Sequence, residues 1–173
     1  MPVTRGLYNA RLWYALPMQF DFSLALAAVF MLATVSSAQD LTTKKTLNLA
    51  VAKKIAAAAE AEARKNNWNV VITVLDEGGN LLYLQRMDGT QIGSIDVAIA
   101  KAGSAIKFKR PTKVFEEAVK GGRNAILSLP GAIPVEGGEP IVSEGNIIGA
   151  IGVSGVQSDQ DGMIARAGAA AVK

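Results

Sequence analysis

The side chains with chemistry to offer fall in four short stretches. In RMDG, Arg86 and Asp88 stand two apart, and they read equally as a turn closed by a local ion pair and as an arginine clamp for a ligand carboxylate. Lys101 interrupts the alanine-rich run SIDVAIAKAGSAIKF. Its plainer reading is a surface lysine lying along a helix; the alternative is an anion contact or a proton donor. Glu136, Gly137 and Gly138 lie in VEGGEP, where bare backbone would let amide groups approach a ligand, so a pocket contribution is favoured over a mobile loop. The fourth stretch, IVSEGNIIGAIGVSGVQSDQD, holds Gly152 and Ser154.

In that stretch Gly149, Gly152 and Gly155 recur every third residue. A dinucleotide fingerprint needs G-x-G-x-x-G at the start of a helix, whereas these glycines lie inside a strand, so close packing is preferred to phosphate binding. Strand alternation puts Ile148, Ala150, Gly152 and Ser154 on one face, nearly bare after Ile148, and such a face meets something at short range. Asp159 and Asp161 would repel a phosphate from the following helix. With Ser154 they could face a hard cation, but two carboxylates make a poor calcium site and helix capping is the better account. No metal site is expected.

Composition removes several chemistries. The chain has no histidine and no cysteine, which excludes serine–histidine triads, histidine-ligated zinc, disulfides and thiolate nucleophiles. The formal charge is +3 over 173 residues, and losing Arg5, Arg11 and Asp21 with the first 38 residues leaves it close to neutral. Nucleic acid is therefore not an expected partner.

Those first 38 residues read as a signal peptide: Phe22 to Val35 is an apolar run, Arg5 and Arg11 precede it, and Ser36-Ser37-Ala38 ends it. The run is short for a bilayer span, so export to a soluble state, most simply the periplasm, is expected after cleavage, with no membrane association. Met18 is an alternative start, although the segment after it lacks a basic residue before the apolar run. Residues 39–173 then form a single domain.

The elements that must position the reactive side chains follow from periodicity. Asp40 to Asn66 has the pattern of a helix capped by Thr42 or Thr43, with Leu47, Val51, Ile55 and Ala58 on one face. Val70 to Leu75 and Leu81 to Met87 flank Glu77-Gly78-Gly79-Asn80 as a β-hairpin, apolar on both faces and so covered on both by helices or another subunit. Ser94 to Phe108 reads as a helix capped by Ser94, and Pro111 opens a shorter one closed by Gly121-Gly122. Residues 123–140 form a Pro/Gly-rich connection, PIV and NIIGAIGVSG form a second hairpin, and Ser158 to Val172 forms a last helix with Ser158 and Asp161 as a capping pair. The order is that of an α+β domain around a mostly antiparallel sheet.

Taken in order, RMDG, SIDVAIAKA, RPTKVFE, PVEGGEPI and GAIGVSGVQSDQD resemble the GlcG/HbpS-like family of haem-binding proteins, over essentially all of residues 41 to 173. The resemblance implies a profilin-like α/β/α domain with a five-stranded antiparallel sheet, assembled as a homo-oligomer. It also implies haem as a cofactor, or a smaller carboxylated ligand. Without histidine, any axial contact would have to use another residue type, and Tyr83 is the aromatic whose oxygen could serve. The ligand would lie between the glycine-rich strand, the 130s loop and Arg86. Lys107, Lys109 and Arg110 suit the C-terminal end of a helix and could also meet propionates. The alternative function is an enzyme acting on a small anionic catabolic intermediate, with Arg86 orienting it and Lys101, Glu136 or Asp88 moving protons.

Overall fold

The computed structural model of the protein describes residues 41–172. The expected signal segment and the residue expected to open the first helix, Asp40, lie outside the described residues. Helix α1 spans Leu49–Lys65, starting later than its alanine content suggests. Asn48, not Thr42 or Thr43, is the cap: its side-chain oxygen accepts from the Val51 amide at 2.9 Å. The buried stripe is Ala52, Ile55, Ala56, Ala59 and Ala63, a helical period one position away from the Val51 and Ala58 expected.

Strands β1 (Val71–Asp76), β2 (Leu81–Arg86), β3 (Gly138–Ser143) and β4 (Asn146–Ser154) form one antiparallel sheet in the order β2-β1-β4-β3. The family resemblance implied five strands; the described residues hold four. In the segment just before β3, Pro130 and Pro134 lack amide donors and Gly131 and Gly137 have φ of 81° and 128°, so it is unsuited to a ladder.

Helix α2 spans Ser94–Phe108, α3 Lys113–Lys120 and α4 Ser158–Ala169, with a 3-10 turn at Asn124–Ser128. Two expected caps are displaced. Gly93 precedes α2 and Ser94 is its first residue, without a capping bond. At α4, Gln157 is the cap and the Gln160 side chain accepts from its amide at 3.2 Å, leaving Asp161 for another role. Lys109 has φ 52° and ends α2 two residues before Pro111.

Helices α1 and α4 cover one face of the sheet and α2 covers the other. Ile72, Val74, Ile151 and Val153 join the α1/α4 core, while Leu75, Ala102, Ala105, Ile106 and Ala150 form the smaller core under α2. This layering accounts for the doubly apolar β1 without invoking a second subunit. Among the described residues, no helix is long and apolar enough to cross a membrane.

Candidate functional site

The bare face of β4 meets a helix. A Cβ at Gly152 would overlap the Ala98 carbonyl oxygen and lie 2.6 Å from the Ala102 amide nitrogen, so α2 rests with its backbone on the strand. The space that a ligand would need beside Gly152 is therefore occupied. Ser154, at the end of this strand, is buried, with its hydroxyl 3.3 Å from that of Ser94.

That close approach brings Lys101 inside. Its side chain is 1% exposed, which overturns the surface reading, and its ammonium donates to Asp161 at 2.7 Å and to the Val153 carbonyl at 3.0 Å. Asp161 also accepts from the Val156 amide at 3.2 Å, so it joins α4 to α2 rather than capping its own helix. A Cβ at Gly137 would stand 2.9 Å from the Lys101 nitrogen and 2.7 Å from the Val153 oxygen, and Gly138 gives its amide to the Thr112 hydroxyl at 2.9 Å. These glycines let the loop close over the ion pair. They pack against protein where the sequence suggested a ligand.

Glu136 lies at the rim of this cluster, buried beneath two cations: Arg166 at 2.7 Å and Lys113 at 3.2 Å. Glu139 shares Arg166 at 3.5 Å, and its burial raises its pKa above the ordinary 4.5 although Arg166 opposes the shift. An acid with a raised folded pKa holds its proton better folded than unfolded. Its contribution to stability is complete below about pH 4.5 and is lost as pH rises through the raised value. Glu139→Gln is accordingly expected to flatten the stability–pH curve on the neutral side of that point, followed as the urea midpoint at several pH values. Curves parallel to wild type would contradict this account of Glu139.

Six of the eight residues singled out, Lys101, Glu136, Gly137, Gly138, Gly152 and Ser154, thus belong to the β3–β4–α2–α4 region. Arg86 and Asp88 do not join them. Both are exposed at the end of β2, the opposite edge strand from β3, and among the described residues neither forms an ion pair.

Among the described residues, two open clefts bear on ligand binding. One, of about 340 Å³, is lined by Lys113, Glu116, Glu117, Lys120, Glu136, Ser158 and Asp159. Its lysines are paired, Lys120 with Glu116 at 2.5 Å and Lys113 with Glu136 at 3.2 Å, and its excess of carboxylates disfavours an anion.

The other, of about 230 Å³, lies between the end of α2, α3 and the 3-10 turn, and is lined by Phe108, Val114, Phe115, Ala118, Ile126 and Leu129 with Arg110 and Arg123. Phe108 and Phe115 meet edge to face, centroids 5.1 Å apart at 77°. The Arg110 guanidinium stands 5.8 Å from the Phe115 ring centre and donates through Nε to the Phe108 carbonyl at 3.1 Å. That leaves its other N–H groups for a ligand. Among the described residues, neither arginine is paired with a carboxylate. Sequence reading placed Arg110 at a helix end, with propionates as the alternative, and did not single out Arg123. The available signal was an arginine directly after the Gly121-Gly122 helix stop, followed by the apolar AILSL.

The chain matches the family model described as "Haem degrading protein HbpS-like" over residues 47–170. It is 46% identical over 112 residues to Protein GlcG of Escherichia coli (strain K12), covering 65% of this chain and 84% of that protein. A crystal structure of HbpS superposes with a TM-score of 0.71 at 33% identity, covering 78% of this chain and 95% of that one. A crystal structure of a PduOC:haem complex superposes with a TM-score of 0.66 at 26% identity, covering 74% and 96%. The chain belongs to the HbpS-like family.

Proposed function

We propose that this HbpS-like protein binds haem, gripping the edge of the macrocycle in the cleft between α2, α3 and the 3-10 turn. The observation that carries the reading is the pairing of an apolar, aromatic-walled cleft with two guanidinium groups that, among the described residues, have no carboxylate partner. A haem edge has the complementary chemistry: a flat apolar ring and two carboxylates. Phe108, Val114 and Leu129 would take the ring edge over the buried Phe115 and Ile126, and Arg110 and Arg123 the propionates. Haem, when bound, supplies an iron centre. This chain's residues orient the ring and neutralise its carboxylates. The family and the haem complex of a relative support the reading.

A cleft of about 230 Å³ is smaller than the roughly 300–1,000 Å³ of sites that bury most of a ligand. Part of the ring therefore stays outside the cleft in one copy of the chain. The reading includes a homo-oligomer in which a second copy covers the remainder; exposed Val114 and Leu129 line the cleft and favour this. It also includes export, on the strength of the apolar Phe22–Val35 run, with the mature protein beginning at Gln39. The mass of the protein recovered from a periplasmic extract checks that last point, and a mass retaining residues 1–38 would remove it. The enzyme reading is disfavoured, because Lys101 is enclosed and Glu136 is held by Arg166 and Lys113.

The test is a hemin titration of the purified protein followed by Soret absorbance. A saturable shift is expected. A response no larger than that of a control protein would remove the reading.

A further inference from the structure

We infer that the cleft recognises the porphyrin ring and its carboxylates and takes no hold of the metal, so that metal-free protoporphyrin IX binds as tightly as hemin. This rests on the haem-binding reading above and narrows its ligand class to dicarboxylate porphyrins irrespective of the central ion.

Iron in a porphyrin is held axially by imidazole, thiolate, thioether or phenolate. The side chains lining this cleft are phenyl, alkyl and guanidinium groups. A guanidinium stays protonated in proteins and offers no lone pair. The chain has neither histidine nor cysteine from which a ligand could swing in. Tyr83, the donor that the sequence suggested, lies on β2, with β1 and β4 between it and β3, and its hydroxyl donates to Gln85 at 3.1 Å. Of the described methionines, Met87 is buried in the α1/α4 core at 7% exposure, and Met163, exposed on α4, does not line the cleft. The binding energy at the cleft therefore comes from aromatic and apolar contact and from charge-assisted hydrogen bonds, all of which metal-free porphyrin supplies equally.

A protein that holds the ring by its edge and carboxylates does not discriminate haem from porphyrins with another ion or none.

Three probes test this on the purified full chain: hemin by absorbance, and protoporphyrin IX and its dimethyl ester by fluorescence. The variants Arg123→Gln and Arg110→Gln/Arg123→Gln are measured beside wild type, with circular dichroism to check folding. Arg123 is exposed, which keeps the single variant informative should the double variant fail to fold. The expected result is a Kd for protoporphyrin IX within about threefold of that for hemin. The single substitution is expected to weaken binding about tenfold, the effect of losing one charge-assisted hydrogen bond, and the dimethyl ester, which neutralises both carboxylates, about a hundredfold. Saturable hemin binding with protoporphyrin IX more than about tenfold weaker would show that the chain ligates iron; it would overturn this inference and leave haem binding standing. An ester that binds as tightly as the free acid would overturn the assigned role of the arginines. Failure of both hemin and protoporphyrin IX to bind would remove the haem-binding reading and this inference together.

Discussion

Exchanging Lys101 for methionine is expected to lower the unfolding free energy by about 3–5 kcal/mol, the range measured when one partner of a buried ion pair is removed. Methionine fills a similar volume, so the loss is electrostatic rather than a cavity effect. The ammonium meets Asp161 and the Val153 carbonyl, and in its absence both acceptors stay buried with one fewer donor each. Burial already raises the Asp161 pKa against the pull of Lys101. Without the lysine the carboxyl must take up a proton to remain inside. The Lys101→Met variant is therefore expected to recover part of its stability as pH falls, because the protonated acid no longer carries an uncompensated charge. Adding Asp161→Leu is expected to recover a large part of the loss, since replacing a buried pair by apolar groups is often close to neutral. Urea unfolding of the two variants at neutral pH decides the point. A Lys101→Met protein as stable as wild type would mean that the pair contributes nothing to the joint between α2 and α4.

Gly152→Val is expected to cost about 3 kcal/mol or more, at the upper end for overpacking, or to prevent folding. The neighbours of a new Cβ would be the Ala98 oxygen and the Ala102 nitrogen, which are backbone atoms and cannot turn aside as a side chain would. Helix α2 would have to lift from β4, opening the small core of Leu75, Ala102, Ala105, Ile106 and Ala150. Gly103→Ala provides an internal control in the same helix. A Cβ there meets nothing within 4 Å, and alanine is expected to stabilise by up to about 1 kcal/mol through helix propensity. If Gly152→Val and Gly103→Ala unfold at the same urea concentration, the close approach of α2 to β4 is not what holds this face.

The glycine strand illustrates how far the sequence could be read. Alternation along NIIGAIGVS identified a bare face at Ala150, Gly152 and Ser154 and required a close neighbour, which α2 supplies. What alternation could not give was the identity of that neighbour, because backbone packing and ligand contact both call for glycine. Lys101 shows the same limit. A lysine among alanines has the pattern of a solvated position, and only the packing of α4 across β4 brings Asp161, sixty residues later, to neutralise it. The caps went astray for a local reason. Thr42, Thr43 and Ser94 are suitable cap residues, but Asn48, Gly93 and Gln157 occupy the positions where the chain turns into each helix. The hairpins, the two-sided burial of β1 and the element order were legible because strand alternation and turn residues are local signals. The arginine-flanked cleft was not, since it is assembled from a helix end, a short helix and a 3-10 turn, and Arg123 carries no pattern of its own.

The most direct test of the central claim is to locate the bound porphyrin. Amide chemical shifts of the 15N-labelled protein would be recorded before and after adding zinc protoporphyrin IX, a diamagnetic stand-in for haem. The account predicts changes concentrated at the Phe108, Phe115, Arg123 and Ile126 amides, with those of Arg86, Gly152 and Ser154 left in place. Changes centred on Arg86 and Ser154, or spread evenly over the domain, would contradict it.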